Sequence, residues 1–342
     1  MYQPDLVDVP VLEIHRVACA ALERAGCDPE NAQAVARVMS RADGDGAASH
    51  GLFRLAGYLA SLRSGKVDGH ARPSVGPLAP AVLRVDGHGG FAPLAMAAAR
   101  EAVGPLARTQ GMAAAAVVNV HHFSALWVDI EELVQSGLVA MCFTAFMPAV
   151  APAGARQPFF GTNPMAFGWP RPGGETMIFD QASAAMARGE IQIAARDGHA
   201  VPGGAGIGPD GAPTTDPARI LQGAQLPFGG HKGSAIALMV ELLAAGLLGQ
   251  PFSDEAGQED NHDGGPPRGG VLLLAFDPAK FGDPAGWEAH SEAFFERLLG
   301  LEGARLPGDR RAQNRARIER QGAQLPVALW RAAVAASTLP PG

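Results

Sequence analysis

Cysteine and lysine are both scarce. The 342 residues hold three cysteines, Cys19, Cys27 and Cys142. They are too few and too scattered for a disulfide framework or a zinc knuckle, and they read as small buried hydrophobes. Lysine occurs only at positions 66, 232 and 280, so nearly all positive charge is arginine. Lys232 stands out because it sits inside a glycine cluster. The chain opens with Tyr2, Gln3, Pro4 and Asp5, with no basic n-region and no apolar h-region, which predicts a cytoplasmic protein. The longest apolar stretches, Ala113 to Val118 and Ser234 to Leu248, fall short of a clean bilayer span or carry Glu241, so no membrane partner is expected. Net charge is -7 and no basic run interleaves with aromatics, which argues against nucleic acid. The nearest matches to G-x-G-x-x-G, at Gly44 to Ser49 and Gly203 to Gly208, follow a helix or lie in a loop, so a Rossmann site is not expected. A P-loop, an H-E-x-x-H helix and a G-x-S-x-G elbow are absent too.

What remains is an ordinary globular enzyme composition, 47% hydrophobic and 18% charged, in a chain long enough for one large domain or two lobes. Helical periodicity covers Val11 to Ala25 and Pro29 to Ser40. After the turn cluster Asp43-Gly44-Asp45-Gly46, Ser49 can cap a helix running from Leu52 to Arg63. From about residue 75 strands alternate with helices. Strands are predicted at Ala81 to Val85, Ala113 to Asn119, Val139 to Thr144, Thr176 to Phe179 and Gly270 to Phe276. Helices are predicted at Phe91 to Thr109, Ala125 to Ser136, Ser183 to Arg196, Lys232 to Leu248, Trp287 to Leu299 and Arg310 to Gln321. Gly198 to Pro217 and Ser253 to Arg268 read as surface loops. The pattern predicts an α+β core, with a helical N-terminal lobe over 1–75 joined by the C-terminal helices of 286–338. A mixed-sheet domain over 76–285 lies between.

Several constellations could carry chemistry. In Ser49-His50-Gly51-Leu52-Phe53-Arg54, a helix starting at Ser49 would place His50 and Arg54 on one face. Such a pair suits a 2-oxo or 2-imino acid, with Arg clamping the carboxylate and His supplying a proton. A serine cap beside a surface His/Arg pair is the competing reading. Gly161-Thr162-Asn163-Pro164 is a turn. Phe228 to Ser234 is a glycine-rich junction with His231 and Lys232, suited to an anionic phosphate or merely to a loop-to-helix connection. Arg305, Arg310 and Arg311 crowd the turn Leu306-Pro307-Gly308-Asp309, as a solvated face or a nucleotide-phosphate site. Asn119-Val120-His121-His122-Phe123 ends a strand, and without further ligands no metal is expected there.

The order Ser-His-Gly-x-x-Arg, Asn-x-x-His, Gly-Thr-Asn-Pro, Gly-Gly-x-Lys-Gly and Pro-Gly-Asp-Arg resembles the malate/L-lactate (sulfolactate) dehydrogenase-like family across nearly the whole chain. Asp180-Gln181-Ala182, Met186 to Gly189, Gln192 to Arg196 and Leu226 to Gly230 are similar to one subgroup, the Δ1-piperideine-2-carboxylate/Δ1-pyrroline-2-carboxylate reductases. The resemblance implies a non-Rossmann nicotinamide-binding fold, a mixed and largely antiparallel sheet wrapped by helices, in a homodimer. It also implies NADPH-dependent reduction of a cyclic imine to L-proline or L-pipecolate, with NADH weaker. Malate- or lactate-type 2-hydroxyacid oxidation is the alternative, and a non-catalytic ligand-binding protein the remote one. Carried over by position, His50 corresponds to the proton donor and Ser49 to its partner, with Arg54 and Thr162 at the substrate carboxylate. His122, Phe123, Ser124, Ala125, Leu126, Asp180, Gln181, Ala182, His231, Lys232 and Leu306 through Ala312 (Pro307, Gly308, Asp309, Arg310 and Arg311 between them) correspond to cofactor contacts. Two positions depart from the pattern. Glu190 stands where an aspartate is expected to complete the relay, and His231 where many relatives carry tyrosine. Malate would require a second cation beyond Arg54. The residues expected near the site are instead apolar or small: Phe53, Phe123, Phe146, Met147, Pro148 and Met186.

Overall fold

The computed structural model describes residues 5–174 and 176–338. In chain order its strands are β1 (Leu6–Val9), β2 (Ser74–Ala79), β3 (Val82–Phe91), β4 (Met112–His121), β5 (Val139–Thr144), β6 (Met165–Pro170), β7 (Thr176–Gln181), β8 (Gly206–Ile207), β9 (Pro213–Thr214), β10 (Ala224–Gln225), β11 (Arg268–Phe276) and β12 (Ala323–Pro326). The helices are α1 (Val11–Arg24), α2 (Pro29–Gly44), α3 (Leu55–Arg63), α4 (Ala92–Gln110), α5 (Leu126–Gln135), α6 (Arg188–Asp197), α7 (Pro217–Gln222), α8 (His231–Glu241), α9 (Ser253–Glu259), α10 (Trp287–Leu299), α11 (Asp309–Gln321) and α12 (Val327–Thr338).

The main sheet has seven strands in the order β2-β3-β4-β11-β5-β6-β7. Only the β3–β4 pair is parallel, and α4 makes that crossover. The central strands β4, β11 and β5 are almost unbroken apolar runs because both faces of the sheet are covered. On one face α4 and α5 pack Ala95, Met96, Ile130 and Leu133 against Val85, Ala115 and Leu273. On the other, Val240 of α8 and Ala244 of the π-turn that follows it pack on Phe143 and Leu272. Alanines dominate β4 because helices press on the sheet there, leaving little depth for larger side chains.

The two ends of the chain meet. Strand β1 pairs antiparallel with β12, from Leu6 opposite Pro326 to Val9 opposite Ala323. Ile14, Val17 and Leu22 of α1 share a core with Val35 and Met39 of α2, and with Ile318, Leu325 and Ala333 near the C-terminus. The Asp28 side chain caps α2 by accepting from the Glu30 and Asn31 backbone N–H groups at 3.0 Å each. Helix α10 departs from the expected grouping with the N-terminal helices. Its Trp287 meets Trp169 edge to face, and its Glu292 pairs with Arg171 at 2.8 Å, both beside β6.

Some local expectations are corrected. The helix predicted from Leu52 to Arg63 is two short 3-10 turns, Ala48–His50 and Leu52–Arg54, before α3. Gly51 breaks the run, so His50 and Arg54 do not share one α-helical face. The loop predicted over 198–217 contains β8 and β9, which form a small sheet with β10. The loop predicted over 253–268 opens with α9. Among the described residues no helix is long and apolar enough to cross a membrane.

Candidate active site

Strand β11 is antiparallel to both β4 and β5, and β6 to both β5 and β7. Strands β4, β5 and β7 therefore run the same way and end at one edge of the sheet. A cleft of about 510 Å³ opens there. Its walls come from the turns around Ser49, the ends of those three strands, the first turn of α6 and a loop at 260–265.

The turn that carries Ser49 and His50 is built on a buried carboxylate. Asp43, at the end of α2, accepts the Leu52 backbone N–H at 2.8 Å. Burial pushes the Asp43 carboxyl up to about 7, against the lowering effect of that N–H. Gly51 lies so close that an added Cβ would stand 1.9 Å from Asp43 Oδ1, so only glycine fits the contact. Ser49 Oγ lies 3.1 Å from His50 Nδ1. With the hydroxyl donating, the ring proton stays on Nε2. Burial first, then the charge of Arg54 and the neighbouring His122, push His50 down to about 3. In the cleft without an anion, His50 is neutral at physiological pH.

Arg54 is fixed by three contacts. Its Nε donates to Ser49 O at 2.7 Å and Nη1 to Gln192 Oε1 at 3.2 Å, and the guanidinium lies 4.6 Å from the Phe123 ring centroid. Burial lowers it to about 10, so it stays charged. Helix α6 reaches this point because position 189 is glycine. A Cβ there would meet Ser49 Cβ at 2.7 Å and Arg54 Nη2 at 2.8 Å. The neighbours of Gly189, Arg188 and Glu190, both line the cleft. Glu190 is exposed, and its carboxylate makes no hydrogen bond to Ser49 or His50 among the described residues. Arg188 is partly buried, and burial lowers its proton affinity.

The opposite wall is held by buried polar groups. His122 Nε2 meets Asp129 Oδ2 at 3.1 Å, and Arg100 lies 3.6 Å from the other oxygen of that carboxylate. His121 turns away, with Nδ1 3.2 Å from Pro266 O. The Asp180 carboxylate accepts the Trp127 N–H at 3.2 Å, and burial raises it to about 6. The Trp127 indole donates to Asp45 at 2.9 Å, and its ring meets His50 edge to face at 6.2 Å. Arg311 of α11 lies over the same indole, 4.6 Å from a ring centroid. Arg315, one turn on, grips Asp45 through two bonds of 2.7 and 2.8 Å.

The Gly161–Pro164 turn is equally supported. Buried Glu241 accepts from Asn163 Nδ2 at 2.7 Å, from the Ser253 backbone N–H at 3.0 Å and from Ser253 Oγ. Asn163 adopts φ 42 with no exposed surface. The Ser183 backbone N–H donates to Thr162 O at 2.8 Å. This frame presents Thr162 and Pro164 to the cleft.

The structure thus brings together Ser49, His50, Arg54, Thr162, Glu190, His122, Phe123, Ser124, Asp180, Gln181 and Ala182. Ala125 and Leu126 lie buried behind that wall. His231 and Lys232 are exposed at the start of α8, and they and Leu306 to Ala312 do not line the cleft. Arg311 alone among the latter touches a lining residue, through Trp127. Of the expected apolar wall, Phe123, Phe146 and Met147 face the cavity, whereas Phe53, Pro148 and Met186 do not. Met186 packs against the core of α6 and α7 instead. The expectation of a single cation is corrected, since Arg188 lines the cleft with Arg54. Trp127, Thr144, Gln192, Asp260, His262, Gly264 and Gly265 were also missed. Arg188 lies within the Met186–Gly189 motif, while nothing in the polar, glycine-rich 260–265 segment signals proximity to Ser49.

Residues 9–333 match the malate/L-lactate dehydrogenase family model. The Delta(1)-pyrroline-2-carboxylate reductase of Ancylobacter novellus is 49% identical over 326 residues, 95% of this chain and 96% of that protein. The Delta(1)-pyrroline-2-carboxylate/Delta(1)-piperideine-2-carboxylate reductase of Pseudomonas aeruginosa is 46% identical, covering 93% and 96%. The crystal structure of delta1-piperideine-2-carboxylate reductase from Pseudomonas syringae superposes with a TM-score of 0.90 at 44% identity, over 96% of this chain and 99% of that one. A cleft with a serine-supported histidine and a buried arginine, on a fold shared along almost the whole chain with such relatives, places this protein in the malate/L-lactate dehydrogenase family.

Proposed function

We propose that the chain is an NADPH-dependent reductase of cyclic 2-imino acids, taking Δ1-pyrroline-2-carboxylate to L-proline and Δ1-piperideine-2-carboxylate to L-pipecolate. The observation that carries this is the juxtaposition of His50 and Arg54 in one cleft with the flat rings of Phe123 and Phe146, stacked 5.9 Å apart. A cyclic imino acid has matching parts: a carboxylate for Arg54, a ring nitrogen for His50, and methylenes for the phenylalanines. Relatives named for this reaction support the reading.

The cleft also suits a nicotinamide. Phe123 offers a flat apolar surface, while Thr144, Asp180 and Gln181 supply the donors and acceptors that a carboxamide needs. We place the cofactor along His122 to Leu126 and Asp180 to Ala182, with Arg311 and the exposed His231, Lys232, Arg305 and Arg310 toward its phosphates. When bound, the reduced nicotinamide supplies the hydride for C2 of the imine. This assigns nicotinamide binding to the mixed sheet rather than to a Rossmann unit, in a two-lobed, cytoplasmic homodimer divided near residue 75.

The residues divide the remaining work. Arg54 and Thr162 hold the carboxylate and fix the face of the ring presented for reduction. Ser49 keeps the His50 tautomer with its proton on Nε2, while Glu190, on the same wall, is exposed and bonds to neither of them among the described residues. A substrate carboxylate offsets the charge of Arg54, one cause of the low proton affinity of His50. Binding therefore raises the ability of His50 to carry the proton that the imine nitrogen receives.

The test is NADPH oxidation by purified protein with both cyclic imines, pyruvate and oxaloacetate. Both imines should be reduced, with rates separated by what one ring methylene is worth, roughly 10–200-fold at most. Faster turnover of either keto acid would overturn the assignment to cyclic imines and leave family membership intact.

A further inference from the structure

Two guanidiniums line the cleft, and the reading above uses only one. Arg188 is the first residue of α6, beside Gly189, whose Cα lies against Ser49 and Arg54. Its side chain is largely out of solvent and makes no hydrogen bond or ion pair with any described residue. It stands near enough to Arg54 for its charge to disfavour the protonated form of Arg54. Elsewhere in the fold, the partly buried arginines 41, 171 and 315 each grip a carboxylate. A desolvated arginine without an acceptor, sharing a cavity with a second one, is costly unless an anion joins them. Glu190 does not join them, because its carboxylate pairs with neither arginine.

Arg54 cannot meet that need alone. Its Nε is committed to Ser49 O and Nη1 donates to Gln192 Oε1, which leaves Nη2 and one Nη1 hydrogen for substrate. A carboxylate has about four lone-pair sites to satisfy once it is taken from water. The start of α6 adds a backbone dipole of favourable sign at the same place.

We propose that Arg188 is a second substrate-binding residue, reaching the imino-acid carboxylate beside Arg54, so that the anion is shared by two guanidiniums. The inference rests on the reading of this cleft as the substrate site. It assigns to Arg188 the lone pairs that Arg54 leaves unpaired, and makes the pair of arginines the device that selects an acid over its neutral analogues.

The experiment uses planar ring probes, pyrrole-2-carboxylate and the neutral pyrrole-2-carboxamide, as competitors of imine reduction by the intact enzyme. Wild type should bind the carboxylate better than the amide. Arg188→Gln should weaken carboxylate inhibition by roughly tenfold to a hundredfold, the range for a charged hydrogen bond, and raise the imine KM similarly. Amide inhibition and the NADPH KM should move less than twofold. Arg188→Lys, which keeps a point charge without the fork, should fall between. Equal loss for both probes would mean a structural role, and a selective rise in the NADPH KM would assign Arg188 to the cofactor. Either result, or no change at all, overturns the proposal. If Arg188→Gln fails to fold, Arg188→Lys decides alone, since wild-type discrimination between the probes in that variant counts against the fork. A protein inert toward imines that still discriminates the two probes through Arg188 would sink the proposed reaction and leave this inference standing. Probe binding is then read by direct titration.

Discussion

At the scale of single residues, the site is a set of charges kept apart from water at known cost. His50 is held neutral by burial and by Arg54, so its function depends on what enters the cleft. His50→Ala should lower kcat by on the order of 10²–10⁴ while NADPH binding and the melting temperature persist. Near-wild-type turnover would remove His50 from the chemistry. The pH dependence has a defined sign. With His50 near 3 in the free enzyme, kcat/KM should show no inflection from its titration between pH 5 and 8. With carboxylate bound, the apparent pKa moves up, and kcat should fall as pH rises through it. Equal pKa values in the two profiles would show that the anion does not act on His50. Arg54 gives a sharper contrast. Arg54→Lys loses both the bond to Ser49 O and the two-point fork, so it should raise the imine KM nearly as far as Arg54→Ala. An unchanged KM in either variant would place Arg54 outside substrate recognition.

At the scale of elements, Ser49, His50, Arg54 and Thr162 sit on short turns rather than on α-helices, and this is where sequence periodicity is weakest. Segments bounded by glycine or proline are legible: β5 and α10 fall at their predicted limits, and α1, α4, α5 and α11 within a residue or two. Strands β1, β2, β6 and β12 were missed because they are short or edge-placed, or owe their extension to a partner distant in sequence. The helix expected from Leu52 to Arg63 begins only at Leu55, after two 3-10 turns. The bond from Leu52 to Asp43 and the glycine that fits against that carboxylate are tertiary facts. The same contact yields a prediction. Asp43 has a folded pKa near 7, against about 3.9 in an unfolded chain. Its protonated form is favoured by the fold, so its contribution is full below pH 4, declines between pH 4 and 7, and is constant above. Asp43→Asn keeps an acceptor for Leu52 and removes the ionisation. Urea midpoints measured from pH 4 to 8 should therefore decline less with rising pH in Asp43→Asn than in wild type. Parallel curves would mean that Asp43 is ionised in the folded protein throughout.

At the scale of the whole molecule, the catalytic turn and the last helices depend on one another. Asp45 follows α2 and receives Trp127 from α5 and Arg315 from α11, while Arg311 of α11 covers the Trp127 ring. The C-terminal segment is therefore part of the cleft's back wall, and the β1–β12 pair ties it to the start of the chain. Sequence motifs named part of the cleft's lining because each is local. They could not show that Arg311 is tied down by Trp127 and the Ile178 carbonyl while Arg305 and Arg310 stay exposed. That division bears on cofactor choice. Arg311 is already engaged, so on the proposed cofactor placement discrimination between the two nicotinamide cofactors would fall to Arg305, Arg310, His231 and Lys232, which make no ion pair among the described residues. A 2′-phosphate adds up to two negative charges, which charge-assisted bonds from such side chains recognise. The protein should show a higher kcat/KM with NADPH than with NADH, and the gap should shrink in 0.5 M salt because the cations are exposed. Arg310→Ala should reduce kcat/KM for NADPH while leaving NADH within about twofold. If NADH already matches NADPH in the unmodified protein, or Arg310→Ala affects both equally, these side chains form a solvated face and the preference for a phosphorylated cofactor falls.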